Sequence, residues 1–281
     1  WAPDINELER KVKSHQAIVG ILVINPDNPT GYVYPEETLR RIVEIAKTYD
    51  LFVICDETYQ NIVYNGKVTV PLSDIIGDVP GISMKGISKE FPWPGSRCGW
   101  MEVYNAGKDE TFDRYFDAIL TQKMSEVCST TLPQMAIPRI MSHPEYQPYL
   151  DERRLHYEKL AEIAYRAFKE LPYVMVNRTN GAFYMTIVFN DAVLNHRQTL
   201  PIAQKEVRTY IEKLVAENVE TDKRFVYYLL GATGICVIPL TSFFTDAPGF
   251  RMTLLDRDEA KFEQVVRTIG EQIVAYVESA R

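Results

Sequence analysis

Continuous apolar runs separated by an amphipathic stretch dominate the first part of the chain. Residues 18–24 read IVGILVI and residues 51–55 read LFVIC, and neither run alternates with polar residues. Between them, apolar residues recur at helical spacing from Pro35 to Tyr49. A buried strand, an amphipathic helix and a second buried strand in this order are typical of a parallel α/β unit. Two further strands are predicted, at 82–87 and 98–103.

The pattern changes after Lys108, where strands and helices no longer alternate regularly. This irregular order is typical of an α+β domain. The sequence therefore predicts two domains, a mostly parallel α/β domain over residues 1–150 and a smaller α+β domain over residues 151–281. The later predicted helices are 109–126, 132–142, 148–171, 201–218 and 258–278, and the later predicted strands are 173–176, 182–189, 235–238 and 250–255.

Composition and charge narrow the class of protein. The chain has 281 residues, 46% of them hydrophobic, and a formal net charge of −7. These values are typical of a soluble globular protein. The acidic balance and the lack of a basic block disfavour nucleic acid and anionic membranes as partners. No apolar run approaches the roughly 18 to 20 residues that a membrane span requires.

The cysteines and histidines argue against a metal site and a disulfide framework. The four cysteines are scattered without a Cys-x-x-Cys pair, and the four histidines form no His-x-x-x-His or His-Glu-x-x-His motif. We expect no metal, reduced thiols and a cytoplasmic location. The sequence also lacks a P-loop and a hydrolase nucleophile elbow. The chain begins at Trp1 rather than at a methionine, and we expect its natural start to lie upstream.

Polar residues that could carry chemistry follow the first two predicted strands directly. The stretch NPDNPTG (25–31) is either a rigid turn and no more, or a turn that offers the amide of Asn28 to a ligand at the carboxyl edge of the sheet. In the stretch DETY (56–59), Asp56 ends an apolar run. Because a buried carboxylate is costly without a cation, we expect Asp56 to have a positive partner. Tyr59 could bring its hydroxyl to the same site.

The third stretch is KGISKEFPWPGSRCGW, at residues 85–100, on a backbone stiffened by two prolines. A desolvated lysine amine is a nucleophile that can form a Schiff base with an aldehyde. We favour Lys89 for this role over Lys85, which lies inside a predicted strand. Arg97 could bind a phosphate or a carboxylate. Arg251, in the strand-like GFRMTLL, is either an edge-strand arginine in water or a clamp for a carboxylate.

One ligand, pyridoxal phosphate, would use all of these groups together. Its aldehyde requires an amine, which Lys89 supplies, and its phosphate requires a cation, which Arg97 supplies. Its protonated pyridine nitrogen requires an anion, which Asp56 supplies. Its phenolate oxygen requires hydrogen-bond donors, which Asn28 and Tyr59 supply.

With these residues and spacings, the chain resembles the class I aminotransferases of the fold-type I pyridoxal phosphate family, near their alanine and aspartate aminotransferase-like members. The motifs N-P-x-N-P-T-G, D-E-x-Y, S-K-x-[FY] and R-x-G-W occur in the family's order. They lie at Asn25–Gly31, Asp56–Tyr59, Ser88–Phe91 and Arg97–Trp100. NGAFYMTIVF and GFRMTLL resemble strands of the family's small domain. The resemblance covers nearly the whole chain, and the order of the motifs makes it specific.

The resemblance implies an α/β fold of the fold-type I transferases, in which residues 1–150 form the C-terminal portion of the large domain and residues 151–281 the small domain. It also implies a homodimer that moves an amino group between an L-amino acid and a 2-keto acid through a Schiff base at Lys89. The implied residues are Lys89, Asp56 and Tyr59 for catalysis, Asn28, Asp56, Tyr59, Ser88, Lys89 and Arg97 for the cofactor, and Arg251 and Asn28 for the substrate.

The sequence departs from the family pattern in two places. Gly86 stands where many relatives have a serine or threonine that contacts the phosphate, so we expect one contact fewer. The family's Gly-rich loop and the aromatic residue that stacks on the cofactor would both precede Trp1. Two other functions share the same motifs: a carbon-sulfur lyase or related α-carbon chemistry, and the cofactor-sensing domain of a transcription regulator, which the acidic charge disfavours.

Overall fold

The structure is a computed structural model, and it describes residues 1–280. The chain divides into two compact units. The first comprises Trp1–Asn28, Tyr32–Leu155 and Asn180–Ala182, and the second comprises Pro29–Gly31, His156–Thr179 and the residues from Phe183 onward. The domain limits predicted from the sequence, 1–150 and 151–281, stay a prediction.

A four-stranded sheet forms the centre of the first unit. Its strands are β1 (Gly20–Ile24), β2 (Phe52–Asp56), β3 (Gly81–Gly86) and β4 (Gly99–Tyr104), in that spatial order. The first three strands are parallel, and β4 is antiparallel to β3. The mostly parallel sheet predicted from the continuous apolar runs is therefore confirmed. Ile24 pairs with Asp56 and Asp56 with Met84, so the three parallel strands end at one edge.

Helices α1 (Ile5–Ser14) and α2 (Glu36–Thr48) belong to the hydrophobic core of the first unit. Helix α2 begins directly after Pro35 and buries five apolar residues, as its helical spacing predicts. Helix α1 was not predicted, although Asp4 caps it by accepting a hydrogen bond from the backbone N–H of Glu7 at 3.0 Å. Three more helices follow along the chain: α3 (Glu110–Met124), α4 (Thr131–Met141) and α5 (Tyr146–Phe168).

An antiparallel sheet and three further helices make up most of the second unit. The strands are β5 (Val174–Val176), β6 (Tyr184–Phe189), β7 (Ile238–Pro239) and β8 (Gly249–Thr253), in the spatial order β5-β6-β8-β7. The helices are α6 (Lys205–Val215), α7 (Thr221–Thr233) and α8 (Glu259–Glu278). Fully buried aromatic residues fill its core, namely Phe168, Phe189, Phe225, Phe250 and Tyr276. This is the α+β arrangement that the sequence predicts.

The sequence misplaced the start of one helix in this unit and missed another. Helix α6 starts at Lys205 rather than near residue 201, and helix α7 was not predicted. Helix α7 buries polar as well as apolar residues, including Asp222 and Arg224. A helix that is covered on most sides shows no amphipathic pattern, which explains the omission. Within residues 1–280, no helix is both long enough and apolar enough to span a bilayer.

Candidate active site

The segments that leave the three parallel strands are joined to one another at the carboxyl edge of the sheet. The backbone N–H of Asn25 donates to the carbonyl of Asp56 at 3.0 Å, and the N–H of Glu57 donates to the carbonyl of Met84 at 2.9 Å. The motifs that follow β1, β2 and β3 therefore begin side by side. Open α/β sheets bind their ligands at such an edge.

Asp56 is the last residue of β2 and is half-buried. Its Oδ1 accepts a hydrogen bond from the backbone N–H of Thr58 at 3.0 Å, which fixes the direction of the carboxylate. No lysine, arginine or histidine of the described chain forms an ion pair with it. The cationic partner that the sequence predicts is thus not a side chain of residues 1–280.

Lys89 and Tyr59 lie close together. The Lys89 Nζ is 5.7 Å from the centre of the Tyr59 ring, within the range of a cation-π contact. Tyr59 is buried and Lys89 is half-buried. The Lys89 carbonyl accepts a hydrogen bond from Nη2 of Arg153 at 3.4 Å. The structure therefore brings the predicted amine next to the segment that carries Asp56.

Lys85, the alternative nucleophile, is committed to a buried ion pair. Its Nζ lies 2.9 Å from Oε2 of Glu57 and donates to Oε1 of Gln60 at 2.8 Å. The side chains of Lys85 and Glu57 are only 17% and 2% exposed. The Nζ of Lys85 is thus engaged by the side chains of Glu57 and Gln60. The geometry therefore favours Lys89.

Arg97 ends a short loop that is closed at its base. The N–H of Ile87 donates to the carbonyl of Cys98 at 3.3 Å, and the N–H of Trp93 donates to the carbonyl of Ile87 at 3.1 Å. Arg97 has left-handed backbone geometry, with φ of 51°, and its Nη1 donates to the carbonyl of Pro94 at 2.9 Å. Its guanidinium is exposed, and only part of its donor capacity is used by that bond.

Gly86 has room for a larger residue. A Cβ at this position would lie 3.5 Å from the carbonyl oxygen of Cys98 and 3.7 Å from the Thr58 side chain, both ordinary contact distances. Steric crowding therefore does not require glycine there.

The other predicted residues are spread over both units. Asn28, after β1, and Ser88, beside Lys89, are both half-buried. Arg251 lies on β8, which pairs with β6 on one side and β7 on the other, so its interpretation as an edge-strand residue is wrong. Its guanidinium carbon is 4.5 Å from the ring centre of Tyr184, within the second unit.

Sequence reasoning missed the buried acid Glu90, which directly follows Lys89, as it missed the buried Glu57 and Asp222. Only 7% of Glu90 is exposed, and its carboxylate accepts hydrogen bonds from the backbone N–H of Asn61 at 2.7 Å and from Nδ2 of Asn61 at 3.0 Å. Burial raises the pKa of Glu90 above its ordinary value, against the lowering effect of the two Asn61 hydrogen bonds. Nothing in the local sequence signals that this glutamate is buried.

The sequence of the chain matches a family of enzymes over most of its length. The family model described as aminotransferase class I and II matches residues 1–269. The chain belongs to this family. An uncharacterized aminotransferase of Methanocaldococcus jannaschii is 53% identical over 279 residues, which cover 99% of this chain and 64% of that protein. The chain therefore spans just under two thirds of the length of that relative.

Other members of the aminotransferase family share less of their length with this chain. The glutamate-pyruvate aminotransferase AlaA of Escherichia coli is 30% identical over 186 residues, which cover 66% of this chain and 45% of that enzyme. The solved structure of the alanine aminotransferase from Pyrococcus furiosus superposes with a TM-score of 0.77 at 26% identity, over 98% of this chain and 62% of that one. The fold-type I transferase fold predicted from the motifs is confirmed.

Proposed function

We propose that the protein is a pyridoxal phosphate-dependent aminotransferase that moves an amino group between an L-amino acid and a 2-keto acid. The observation that carries the proposal is the half-buried amine of Lys89 beside Tyr59, next to the segment on which Asp56 has no cationic partner among the described residues. Membership of the aminotransferase family and the names of the curated relatives support the same activity.

The donors and acceptors at the sheet edge match the groups of pyridoxal phosphate. Asp56 has a carboxylate oriented through Oδ1, as the protonated pyridine nitrogen of the cofactor requires. The exposed guanidinium of Arg97 has the donors to bind a phosphate. Asn28, Ser88 and Tyr59 contribute an amide and two hydroxyls as further donors. The residues present therefore fit the cofactor.

Pyridoxal phosphate, when bound, supplies an aldehyde that bonds to an amine and a ring that accepts electron density from the substrate. Lys89 would hold the cofactor through its amine, and its Nζ would take up the proton of the substrate α-carbon. The carboxylate of Asp56 would stabilise the protonated form of the ring nitrogen. Arg251 binds the substrate carboxylate through its planar guanidinium, and Asn28 adds a hydrogen bond to the substrate.

Replacement of Lys89 tests this function. In the protein at its natural full length, Lys89→Ala should abolish the visible absorbance of covalently bound pyridoxal phosphate and abolish transamination. Lys67→Ala, at an exposed lysine, is the matched control and should keep both. Retention of the covalent absorbance by a folded Lys89→Ala variant would show that another residue holds the cofactor.

A substrate panel separates transamination from the alternative α-carbon chemistry. Alanine, aspartate, glutamate, tyrosine and cysteine are each supplied with and without a 2-keto acid acceptor. A transaminase should release the keto acid of the donor in proportion to the acceptor consumed. Release of ammonia or sulfide without an acceptor would instead identify a lyase.

We also propose a homodimer and a cytoplasmic location. The family resemblance supports the dimer, and so do four strongly exposed apolar side chains on α3, α4 and the segment between them. Their exposed fractions are 80% for Met124, 93% for Val127, 72% for Leu132 and 68% for Met135. In sedimentation experiments the wild type should be a dimer and Leu132→Lys/Met135→Lys a monomer. A monomeric wild type would refute the dimer.

The four free cysteines support the proposed cytoplasmic location.

A further inference from the structure

Glu90 is a buried carboxylate that the proposed chemistry does not use. Both of its described hydrogen bonds come from one residue, Asn61, through the backbone N–H and the side-chain amide. Taking a carboxylate out of water is costly unless hydrogen bonds compensate, and here Asn61 supplies them. Asn61 itself is exposed, whereas only 7% of Glu90 is exposed.

The Glu90–Asn61 contact joins two segments that both carry proposed catalytic residues. Asn61 lies two residues after Tyr59, and Glu90 is the residue after Lys89. The ion pair of Lys85 with Glu57 joins the same two segments on the other side of Lys89. The lysine amine therefore extends from a backbone that is fixed to the Tyr59 segment both before and after it.

Two more contacts hold the backbone around Lys89. The ring of Phe91 stacks on that of Tyr146, with centroids 5.4 Å apart and planes inclined by 8°. Arg153 donates to the Lys89 carbonyl. A lysine side chain has four rotatable bonds, so its amine keeps a defined position only if the backbone beneath it is fixed.

We propose that Glu90 and Asn61 are positioning residues for Lys89, which hold its amine at the point where the cofactor aldehyde must be attacked. This inference rests on the proposed function of Lys89. It assigns to Glu90 no contact with substrate or cofactor, because its described hydrogen bonds are all made to Asn61. Its effect is therefore on the formation of the covalent bond and not on recognition of the ring or the phosphate.

The experiment compares two ligands that differ only in the reacting group. Pyridoxal phosphate bonds to Lys89, whereas 4-deoxypyridoxine phosphate keeps the ring and the phosphate but has no aldehyde. In Glu90→Gln the charge is lost, and the Asn61 amide must turn so that its oxygen accepts from the new Gln amide, which replaces charged hydrogen bonds with weaker neutral ones. We expect pyridoxal phosphate to bind on the order of tenfold more weakly, as for the loss of a charged hydrogen bond. The affinity for the analogue should not change.

A reciprocal exchange provides the rescue. In Glu90→Gln/Asn61→Asp, the Gln side-chain oxygen accepts from the backbone N–H of residue 61 and its amide donates to the new carboxylate. This double variant keeps the net charge and should recover the affinity for pyridoxal phosphate. Glu37→Gln, at an exposed glutamate in the first turn of α2, is the matched control for the loss of charge, and it should bind both ligands as the wild type does.

Each outcome decides one question. The positioning role is overturned if Glu90→Gln lowers the affinity for both ligands equally or for neither. It is also overturned if the double variant does not recover the affinity for pyridoxal phosphate. If Glu90→Gln does not fold, Asn61→Ala removes only the side-chain bond and is held to the same criterion. Failure of the wild type to bond covalently at Lys89, judged against Lys89→Ala, would refute the proposed function instead.

Discussion

Removing the charge of Lys85 should expose how strongly the candidate site depends on its buried ion pair. In Lys85→Met the aliphatic stem is retained and the ammonium is lost. Glu57, with its side chain only 2% exposed, then has no cation at 2.9 Å. Its Oε1 still accepts from the backbone N–H of Leu72 at 2.6 Å, so one oxygen stays satisfied while the charge is uncompensated.

The magnitude follows from the burial of the two partners. Breaking a buried pair by removing one partner costs about 3 to 5 kcal/mol, because a charge stays in a poorly solvated site. For a protein of this size, that loss lowers the melting temperature by roughly 10 °C. Lys85→Met/Glu57→Gln removes both charges and keeps an acceptor for Leu72, so it should regain at least half of the lost free energy of unfolding.

The assay is urea unfolding followed by near-ultraviolet circular dichroism, for the wild type, both single variants and the double variant. The matched control is Lys47→Met, which breaks a pair with Asp78 in which both side chains are 62% exposed. This control should cost far less free energy of unfolding than Lys85→Met, because water and salt screen an exposed pair. Two results would refute the claim that Lys85 and Glu57 are coupled. One is a loss of unfolding free energy in Lys85→Met that is no greater than in Lys47→Met. The other is a loss in the double variant that equals the sum of the losses in the two single variants.

Three further predictions concern stability. Gly31→Ala should lower the free energy of unfolding in urea by roughly 1 to 3 kcal/mol. The reason is that Gly31 has φ of +69° and that a Cβ there would lie 2.7 Å from the Thr179 side chain. An unchanged free energy of unfolding would contradict this prediction. Burial raises the pKa of Tyr34 from 10.0 to about 12, so its ionisation is disfavoured in the folded state and stability should fall as the pH rises from 10 to 12. In Tyr34→Phe the free energy of unfolding in urea should fall less between pH 10 and pH 12 than in the wild type. An equal fall in both proteins would contradict this prediction. Asp258→Ala removes the N-cap of α8 and should cost about 1 kcal/mol in thermal unfolding, whereas Asp258→Asn should cost less.

The sequence predicted the parts of the site that depend on local order. Asp56 could be placed at the carboxyl edge because a continuous apolar run stops there, and parallel strands end at a common edge. Lys89 and Arg97 could be grouped because they lie in one short stretch between two strands. The roles assigned to these residues, and those of Asn28 and Arg251, remain predictions.

The supporting contacts could not be predicted because their partners are distant in sequence. Glu90 bonds to a residue 29 positions earlier, and Lys85 pairs with a residue 28 positions earlier. A glutamate beside a lysine is normally solvated, and only the folded chain brings the Asn61 donors to it. Helix α7 escaped for a related reason, since its burial is set by tertiary packing and leaves no periodic signal.

The loop that carries Lys89 and Arg97 joins two neighbouring antiparallel strands, and Gly86 pairs with Gly99 at its base. Closing this loop costs less chain entropy than closing the longer connection between β2 and β3. The spacing of the amine and the guanidinium is therefore set within one connection of the chain. Insertions between Glu90 and Arg97 should therefore change that spacing while the pairing of β3 with β4 is kept.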